Sequence, residues 1–181
     1  PGQVLLVLDA AYGEYVDDPD YETGSALVND DRPNTVVTHT FSKLYALAAL
    51  RIGWALCPAP VLDALERLRG VFVVGAYAQS AAIAALADRA HQEESARYTR
   101  VALTEMREAL AGNEFRMLPA AGNFFCLDFG DPARAAAADL ALRSAGLIPR
   151  TLVEYGMAGQ LRVTVGLPEH NARVVEILRA L

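Results

Sequence analysis

Residues 35–43 read Thr35-Val36-Val37-Thr38-His39-Thr40-Phe41-Ser42-Lys43, a β-rich run followed closely by a lysine. Such a run predicts a strand that brings Lys43 to its carboxyl end. A lysine that lies in a pocket loses part of its hydration, and its amine can then act as a nucleophile. Taken alone, however, Lys43 also fits an ordinary surface lysine that follows a strand.

A second strand is predicted upstream, because residues 4–8 form the unbroken apolar run Val4-Leu5-Leu6-Val7-Leu8. A run of this kind is typical of a parallel strand that is covered on both faces. It ends in Asp9, and the ligands of open α/β sheets lie beyond the carboxyl ends of the strands. An aspartate there can keep a pyridinium nitrogen protonated, and Tyr12 can donate to a ring hydroxyl. Alone, Asp9 fits a helix N-cap or a turn residue.

The surroundings of Lys43 contain groups that suit a phosphorylated carbonyl compound. Thr40, Ser42 and Arg51 carry the hydrogen-bond donors that a phosphate ester requires. A free amine can attack a carbonyl and form a Schiff base, as in enzymes that use pyridoxal phosphate. A serine–lysine hydrolase is a poorer interpretation, because adjacent strand residues point to opposite faces and Ser42 would not share a proton with Lys43.

Three segments carry a resemblance to a known family: Asp9-Ala10-Ala11-Tyr12, Thr40-Phe41-Ser42-Lys43 and Leu47-Ala48-Ala49-Leu50-Arg51-Ile52-Gly53-Trp54. They resemble the aspartate, lysine and arginine motifs of the fold-type I pyridoxal-phosphate aminotransferases, and in particular those of the histidinol-phosphate aminotransferase family. Ala10 and Ala49 depart from that family, which usually has a glutamate and a glycine there. The resemblance runs over essentially the whole chain and implies the carboxyl-terminal half of such an enzyme.

The implied fold is α/β, with the carboxyl-terminal part of a large domain (a mostly parallel sheet with helices) followed by a small α/β domain. We place the boundary in a predicted long helix. Residues 1–90 then form an incomplete large domain that binds pyridoxal phosphate, and residues 91–181 form the small carboxyl-terminal domain. Apolar periodicity predicts the remaining elements. Further strands are expected at 35–40, 51–56, 115–118, 123–129, 147–150 and 160–165, and helices at 60–70, 79–89, 92–112, 132–144 and 168–181.

The resemblance also implies a role for each candidate residue. Lys43 would be the catalytic residue, and the residues that bind pyridoxal 5'-phosphate would be Asp9, Tyr12, Thr40, Ser42, Lys43 and Arg51. In the second domain, Arg162 matches an arginine that binds an amino-acid carboxylate, Arg150 matches one that helps to hold a substrate phosphate, and Asn123 matches a segment near the substrate.

The residues of the second domain leave alternatives open. An arginine among apolar strand residues is costly to bury without an anion, which favours a bound carboxylate or phosphate. A structural salt bridge to a nearby glutamate such as Glu154 fits Arg150 and Arg162 equally well. Asn123 also fits a turn residue at the entry of a strand.

Composition excludes several classes of function. The 181 residues carry a formal charge of −6, which argues against nucleic acid as a partner. The two cysteines, Cys57 and Cys126, are far apart and predict reduced, buried thiols in a cytoplasmic protein. The three histidines lack metal-ligand spacing, so we expect no metal. Residues 71–87 are too short for a membrane span and predict buried α/β structure.

The expected activity is transamination between histidinol phosphate and 2-oxoglutarate in histidine biosynthesis, by a homodimer acting on small amino-acid and 2-oxo-acid substrates. An aromatic or other amino-acid aminotransferase, or a phosphate-ester decarboxylase of the same fold, is the alternative within the enzyme class. The chain begins almost at once in a core strand and has no Gly-rich turn before a helix. We therefore expect a truncated piece, which is inactive alone or is a binding and assembly domain.

Overall fold

A computed structural model describes residues 3–29 and 32–181, and the chain divides into two compact units after Ala96. The elements of the first unit are β1 (Leu6–Asp9), β2 (Thr35–Thr40), β3 (Gly53–Leu56), α1 (Ala59–Leu68) and α2 (Ala76–Ala87). Helix α3 (Arg89–Ala109) begins in the first unit and continues into the second. The second unit then contains β4 (Arg116–Met117), β5 (Phe124–Asp128), α4 (Pro132–Ser144), β6 (Arg150–Thr151), β7 (Gln160–Thr164) and α5 (Pro168–Arg179).

The first unit is built on a three-stranded sheet in the order β1-β2-β3. Strands β1 and β2 are parallel, with Asp9 opposite Thr38, whereas β3 is antiparallel to β2, with Gly53 opposite Thr40. Gly53 permits this pairing, because a Cβ atom there would lie 2.6 Å from the carbonyl oxygen of His39. The connection from β1 to β2 contains two short 3₁₀ turns, Gly13–Tyr15 and Ser25–Leu27.

Two expectations about burial in the first unit are wrong. Strand β1 was expected to be covered on both faces, but Leu6 and Val7, which point to opposite faces, are 42% and 53% exposed. Residues 71–87 were expected to be buried, but Phe72 and Tyr77 are 93% and 90% exposed. Apolar composition predicted these elements but contains no information about which surfaces cover them.

The second unit is an antiparallel four-stranded sheet in the order β4-β5-β7-β6 with helices packed against it. Its core contains side chains from the sheet and from helices α3, α4 and α5, among them Met106, Phe125, Leu127, Leu142, Leu161 and Leu178. Among the described strands, β1 and β2 pair in parallel and the other pairs are antiparallel.

Local signals explain the most regular helix of the second unit. The carboxylate of Asp131 accepts a hydrogen bond from the backbone N–H of Ala133, and Pro132 occupies the first turn of α4. Gly146 follows its end with a φ of 78°, a conformation that favours glycine. Helix α4 therefore has the bounds predicted from the sequence.

The mixed α/β architecture confirms the predicted fold class. The unit boundary lies within α3, the long helix in which we placed the domain boundary. The assignment of residues 1–90 and 91–181 to two domains of a larger enzyme stays a prediction. Cys57 and Cys126 are free but only half-buried, so the expectation of buried thiols is corrected. Among the described residues, no helix is long and apolar enough to cross a bilayer.

Candidate active site

Asp9 and Lys43 follow neighbouring strands that run in the same direction. Asp9 is the last residue of β1, and Lys43 lies three residues beyond the end of β2. Because the carboxyl ends of parallel strands meet at one edge of a sheet, both residues belong to that edge. The Nζ atom of Lys43 lies 5.2 Å from the centre of the Tyr12 ring, which ties the segment after β1 to the segment after β2.

Thr40, Ser42 and Arg51 form a connected cluster of polar groups beside Lys43. The backbone N–H of Ser42 donates to Thr40 Oγ1 at 3.0 Å, and Arg51 Nη1 donates to Ser42 Oγ at 3.2 Å. Arg51 Nη1 also donates to the carbonyl oxygen of Ala48 at 2.6 Å. The structure thus brings together the three residues that the sequence predicted as phosphate ligands.

The loop between Lys43 and Arg51 contains unusual backbone conformations. Ala46 has a φ of 57° and Arg51 a φ of 51°, both in the left-handed region. This region costs residues with a Cβ atom about 1–2 kcal/mol each. The turn is closed by hydrogen bonds from Ala46 N to Lys43 O at 3.0 Å and from Leu47 N to Phe41 O at 2.9 Å. Backbone strain of this kind is concentrated at functional sites in proteins.

The carboxylate of Asp9 is held through one of its two oxygens. Asp9 Oδ1 accepts from the backbone N–H of Ala11 at 3.1 Å and from Thr38 Oγ1 at 3.5 Å. The sequence alone did not single out Thr38. Thr38 is identified by the strand register in the structure, which places it directly opposite Asp9.

The opposite face of the first sheet contains a second polar cluster. Directly paired residues share a face, and the rings of His39 and Trp54 stack with centres 4.1 Å apart. His39 Nδ1 lies 3.1 Å from Glu14 Oε1, and its Nε2 is buried without a hydrogen-bond partner among the described residues. Side chains alternate along β2, so His39 does not point toward the face of Thr38 and Thr40.

In the second unit, Arg150 and Arg162 are direct partners on neighbouring strands. Their side chains therefore extend from the same face of the sheet. The guanidinium of Arg162 lies 4.8 Å from the centre of the Phe124 ring, and its Nε atom is buried without a hydrogen-bond partner among residues 3–29 and 32–181. The salt bridge considered for Arg162 is therefore not made through this atom.

Arg150 contacts the segment that follows β6. Its Nη2 atom donates to Tyr155 Oη at 2.8 Å, its guanidinium lies 5.3 Å from the centre of that ring, and Glu154 is 3.9 Å away. The alternative ion pair with Glu154 is thus present for Arg150, although both side chains are exposed. Exposed pairs contribute little to stability.

Two further residues flank the arginine pair. Cys126 is the partner of Arg162 on β5, and burial raises the pKa of its thiol although the arginine acts to lower it. Asn123 is half-buried and precedes β5, where its carbonyl oxygen accepts from the backbone N–H of Val165 at 2.9 Å. This bond extends the pairing of β5 with β7 and agrees with the strand-entry interpretation of Asn123.

The sequence matches the family described as "Aminotransferase class I and II" over residues 2–178. The chain therefore belongs to this family. Among curated relatives, it is 48% identical over 180 residues to the histidinol-phosphate aminotransferase of Granulibacter bethesdensis and 45% identical over 181 residues to that of Rhodopseudomonas palustris. Both alignments include 99% of this chain but only 48% and 49% of the two relatives. The chain therefore spans about half the length of these relatives.

Solved structures agree with this assignment. The structure of histidinol-phosphate aminotransferase from Sinorhizobium meliloti in complex with pyridoxal-5'-phosphate matches with a TM-score of 0.89 at 28% identity. That match covers 99% of this chain and 50% of the other. The resemblance to histidinol-phosphate aminotransferases that the sequence predicted is confirmed.

Proposed function

We propose that the protein carrying this sequence is a pyridoxal 5'-phosphate-dependent aminotransferase that transfers an amino group between histidinol phosphate and 2-oxoglutarate in histidine biosynthesis. The observation that supports this proposal most directly is that Asp9, Tyr12 and Lys43 lie together at the carboxyl ends of the parallel strands β1 and β2. The curated relatives of the same name support the choice of substrate.

The chemistry of the donor set fits the cofactor. The hydroxyls of Thr40 and Ser42 and the guanidinium of Arg51 already form one hydrogen-bonded group, and such donors suit a phosphate ester. Asp9 would accept a hydrogen bond from the pyridinium N–H and so keep that nitrogen protonated, and Tyr12 would donate to the ring oxygen. When bound, pyridoxal phosphate acts as an electron sink for charge that develops at the substrate α-carbon.

The residues of the chain would then act in sequence. The amine of Lys43 would hold the cofactor at its aldehyde carbon and would be freed when the amino group of a substrate takes its place. Once free, Lys43 would take the proton from the substrate α-carbon as a general base and deliver it, as a general acid, to the cofactor carbon that it had held. Arg51 and the neighbouring hydroxyls would keep the phosphate group bound during this exchange and so hold the ring in place.

The arginine pair of the second unit would recognise anionic substrates. Like charges directly opposite each other on a sheet destabilise it, and an anion between Arg150 and Arg162 would remove this repulsion. The buried Nε of Arg162, which has no hydrogen-bond partner among the described residues, offers a donor to a carboxylate such as that of glutamate. Arg150 would bind the phosphate of histidinol phosphate, and Asn123 would lie near the substrate.

The site would operate in a cytoplasmic homodimer. Support for a partner subunit comes from the apolar side chains that the first unit exposes, including Leu68, Phe72 and Tyr77 at 84%, 93% and 90%. Large apolar side chains that are exposed to this extent mark a protein–protein interface more often than a solvated face.

Steady-state kinetics of the protein and its Arg150→Ala variant test the proposal. Loss of a charged hydrogen bond should raise the KM for histidinol phosphate by about 10- to 100-fold, the equivalent of about 1.5–3 kcal/mol. The KM for glutamate should change far less. Arg173→Ala is the matched control, because Arg173 is an exposed arginine of the same unit that pairs with Glu176. An equal rise in the KM for both substrates would contradict the assignment of Arg150 to the phosphate. Absence of transamination in the unaltered protein would instead favour the interpretation as a binding domain.

A further inference from the structure

Thr38 is the side chain in β2 that contacts the Asp9 carboxylate. The two residues are direct partners in parallel strands, so their side chains extend from the same face of the sheet. Thr38 Oγ1 donates to Asp9 Oδ1 at 3.5 Å, while its carbonyl oxygen accepts from the backbone N–H of Ala10 at 2.9 Å. Thr38 therefore holds the end of β1 through both its main chain and its side chain.

The hydrogen bonds to the Asp9 side chain from the described residues end on Oδ1. Ala11 N–H and the Thr38 hydroxyl are the two donors, so Oδ2 keeps its lone pairs for another group. A carboxylate with one oxygen fixed by two donors has less freedom to rotate than one fixed by a single donor. Thr38 is also β-branched, which restricts its own side-chain rotation and keeps its hydroxyl in place.

We propose that Thr38 is a positioning residue that orients Asp9 for the pyridinium nitrogen of the cofactor. This inference rests on the proposed function, since it assumes the role of Asp9. The hydroxyl of Thr38 holds Oδ1, which would leave Oδ2 to accept a hydrogen bond from the ring N–H. Ala55 is the partner of Thr38 on β3, and its methyl group has no donor or acceptor that competes for the hydroxyl.

The role of Thr38 differs from that of the phosphate cluster on the same strand. Thr40 lies two residues further on the same face and belongs to the group around Ser42 and Arg51. Loss of the Thr40 hydroxyl would weaken cofactor binding. Loss of the Thr38 hydroxyl would alter the protonation of the cofactor ring instead, because it acts through Asp9.

The test compares Thr38→Val and Thr38→Ala, which remove the hydroxyl, with Thr38→Ser, which retains it. Each protein is loaded with pyridoxal phosphate, and the absorbance of the cofactor is titrated with pH. A ring nitrogen that loses its proton more easily withdraws fewer electrons from the bond to Lys43. We therefore expect the titration midpoint to rise by about 0.5–1 unit in both hydroxyl-free variants. We also expect kcat to fall by about 3- to 10-fold with little change in KM.

The serine variant should restore the midpoint and kcat, which a merely structural role of the threonine methyl group would not do. Thr164→Val is the matched control, because Thr164 is an exposed threonine of strand β7. Asp9→Asn should shift the midpoint further than either Thr38 variant. If Asp9→Asn shifts it and both hydroxyl-free variants titrate like the unaltered protein, the positioning role is wrong. If the unaltered protein takes up no pyridoxal phosphate, the proposed function itself is wrong.

Discussion

Arg162 carries a charge that the described part of its own chain leaves incompletely satisfied. Its Nε atom is buried without a hydrogen-bond partner in residues 3–29 and 32–181, and Arg150 is its direct neighbour on β6. Replacement by a long apolar side chain removes the buried donor and the like-charge contact. Arg162→Met should therefore raise the free energy of unfolding by up to about 1 kcal/mol in urea titrations without substrate.

Another arginine of the same sheet gives the matched control for this prediction. Arg116 donates to Asp128 Oδ2 at 2.7 Å on the same sheet, so Arg116→Met should lower stability slightly. Glutamate should stabilise the unaltered protein and have no effect on Arg162→Met, because the variant has lost the anion contact. A marked loss of stability in Arg162→Met would show that the arginine has a structural partner.

Asp128 makes stability depend on pH in the acid range. Its hydrogen bonds from Arg116 and from the backbone N–H of Gly130 hold the pKa of its carboxyl below the usual value. A carboxyl whose pKa is lower in the folded state stabilises the protein above its unfolded pKa. That contribution is lost as the pH falls through the folded pKa. Asp128→Asn should thus be less stable than the unaltered protein at neutral pH, and the difference should shrink below about pH 4 in pH-dependent urea unfolding. A stability difference that stays constant down to acid pH would show that it does not come from the ionised Asp128 carboxylate.

The loop that joins β2 to β3 contains strain that can be measured. Ala46 adopts a φ of 57°, where glycine has no Cβ penalty. Ala46→Gly should raise the free energy of unfolding by about 0.5–1 kcal/mol, since the strain exceeds the entropy that glycine adds to the unfolded chain. Ala48 lies two residues away in a 3₁₀ turn with ordinary backbone angles, so Ala48→Gly should be destabilising. Equal effects of the two changes in thermal or urea unfolding would argue against the strained conformation.

Elements with clear end signals were predicted well from the sequence. Helix α4 has a capping aspartate, a proline in its first turn and a glycine after its end, and its bounds were found. The strand expected at 147–150 lies instead at Arg150–Thr151. Short strands depend on which neighbour they pair with, and β6 pairs with β7 from Arg150 onward. Pairing of this kind has no local sequence signal.

Residues of the candidate site were likewise predictable where a local sequence signal marks them, and not where they depend on strand pairing. Lys43, Asp9 and Arg51 could be named because each follows or flanks a recognisable strand. Thr38 could not, because its contact with Asp9 depends on a register between segments that are 29 residues apart. The burial of the Arg162 Nε atom likewise could not be predicted, because it depends on how β5 and β7 pack around that atom.

At the scale of the whole molecule, the exposed apolar side chains of the first unit should cause association. Leu68, Val71, Phe72 and Tyr77 are all more than 80% exposed. Such a surface is unusual for a monomer in water. Sedimentation of the 181-residue chain should show concentration-dependent association that Phe72→Lys weakens. Leu140→Lys, at a 67% exposed position of α4, is the matched control and should have no effect. A chain that stays monomeric at all concentrations would contradict the expectation.

The central claim is that Lys43 holds pyridoxal phosphate covalently. The most direct measurement treats the protein with pyridoxal phosphate and borohydride, and then locates the reduced adduct by peptide mass spectrometry. We expect one pyridoxyl group on Lys43, and we expect none in the Lys43→Ala variant. Lys43 is the only lysine in the sequence, so any covalent label must fall on it or on another kind of amine. An unmodified Lys43 peptide after reduction would contradict the claim.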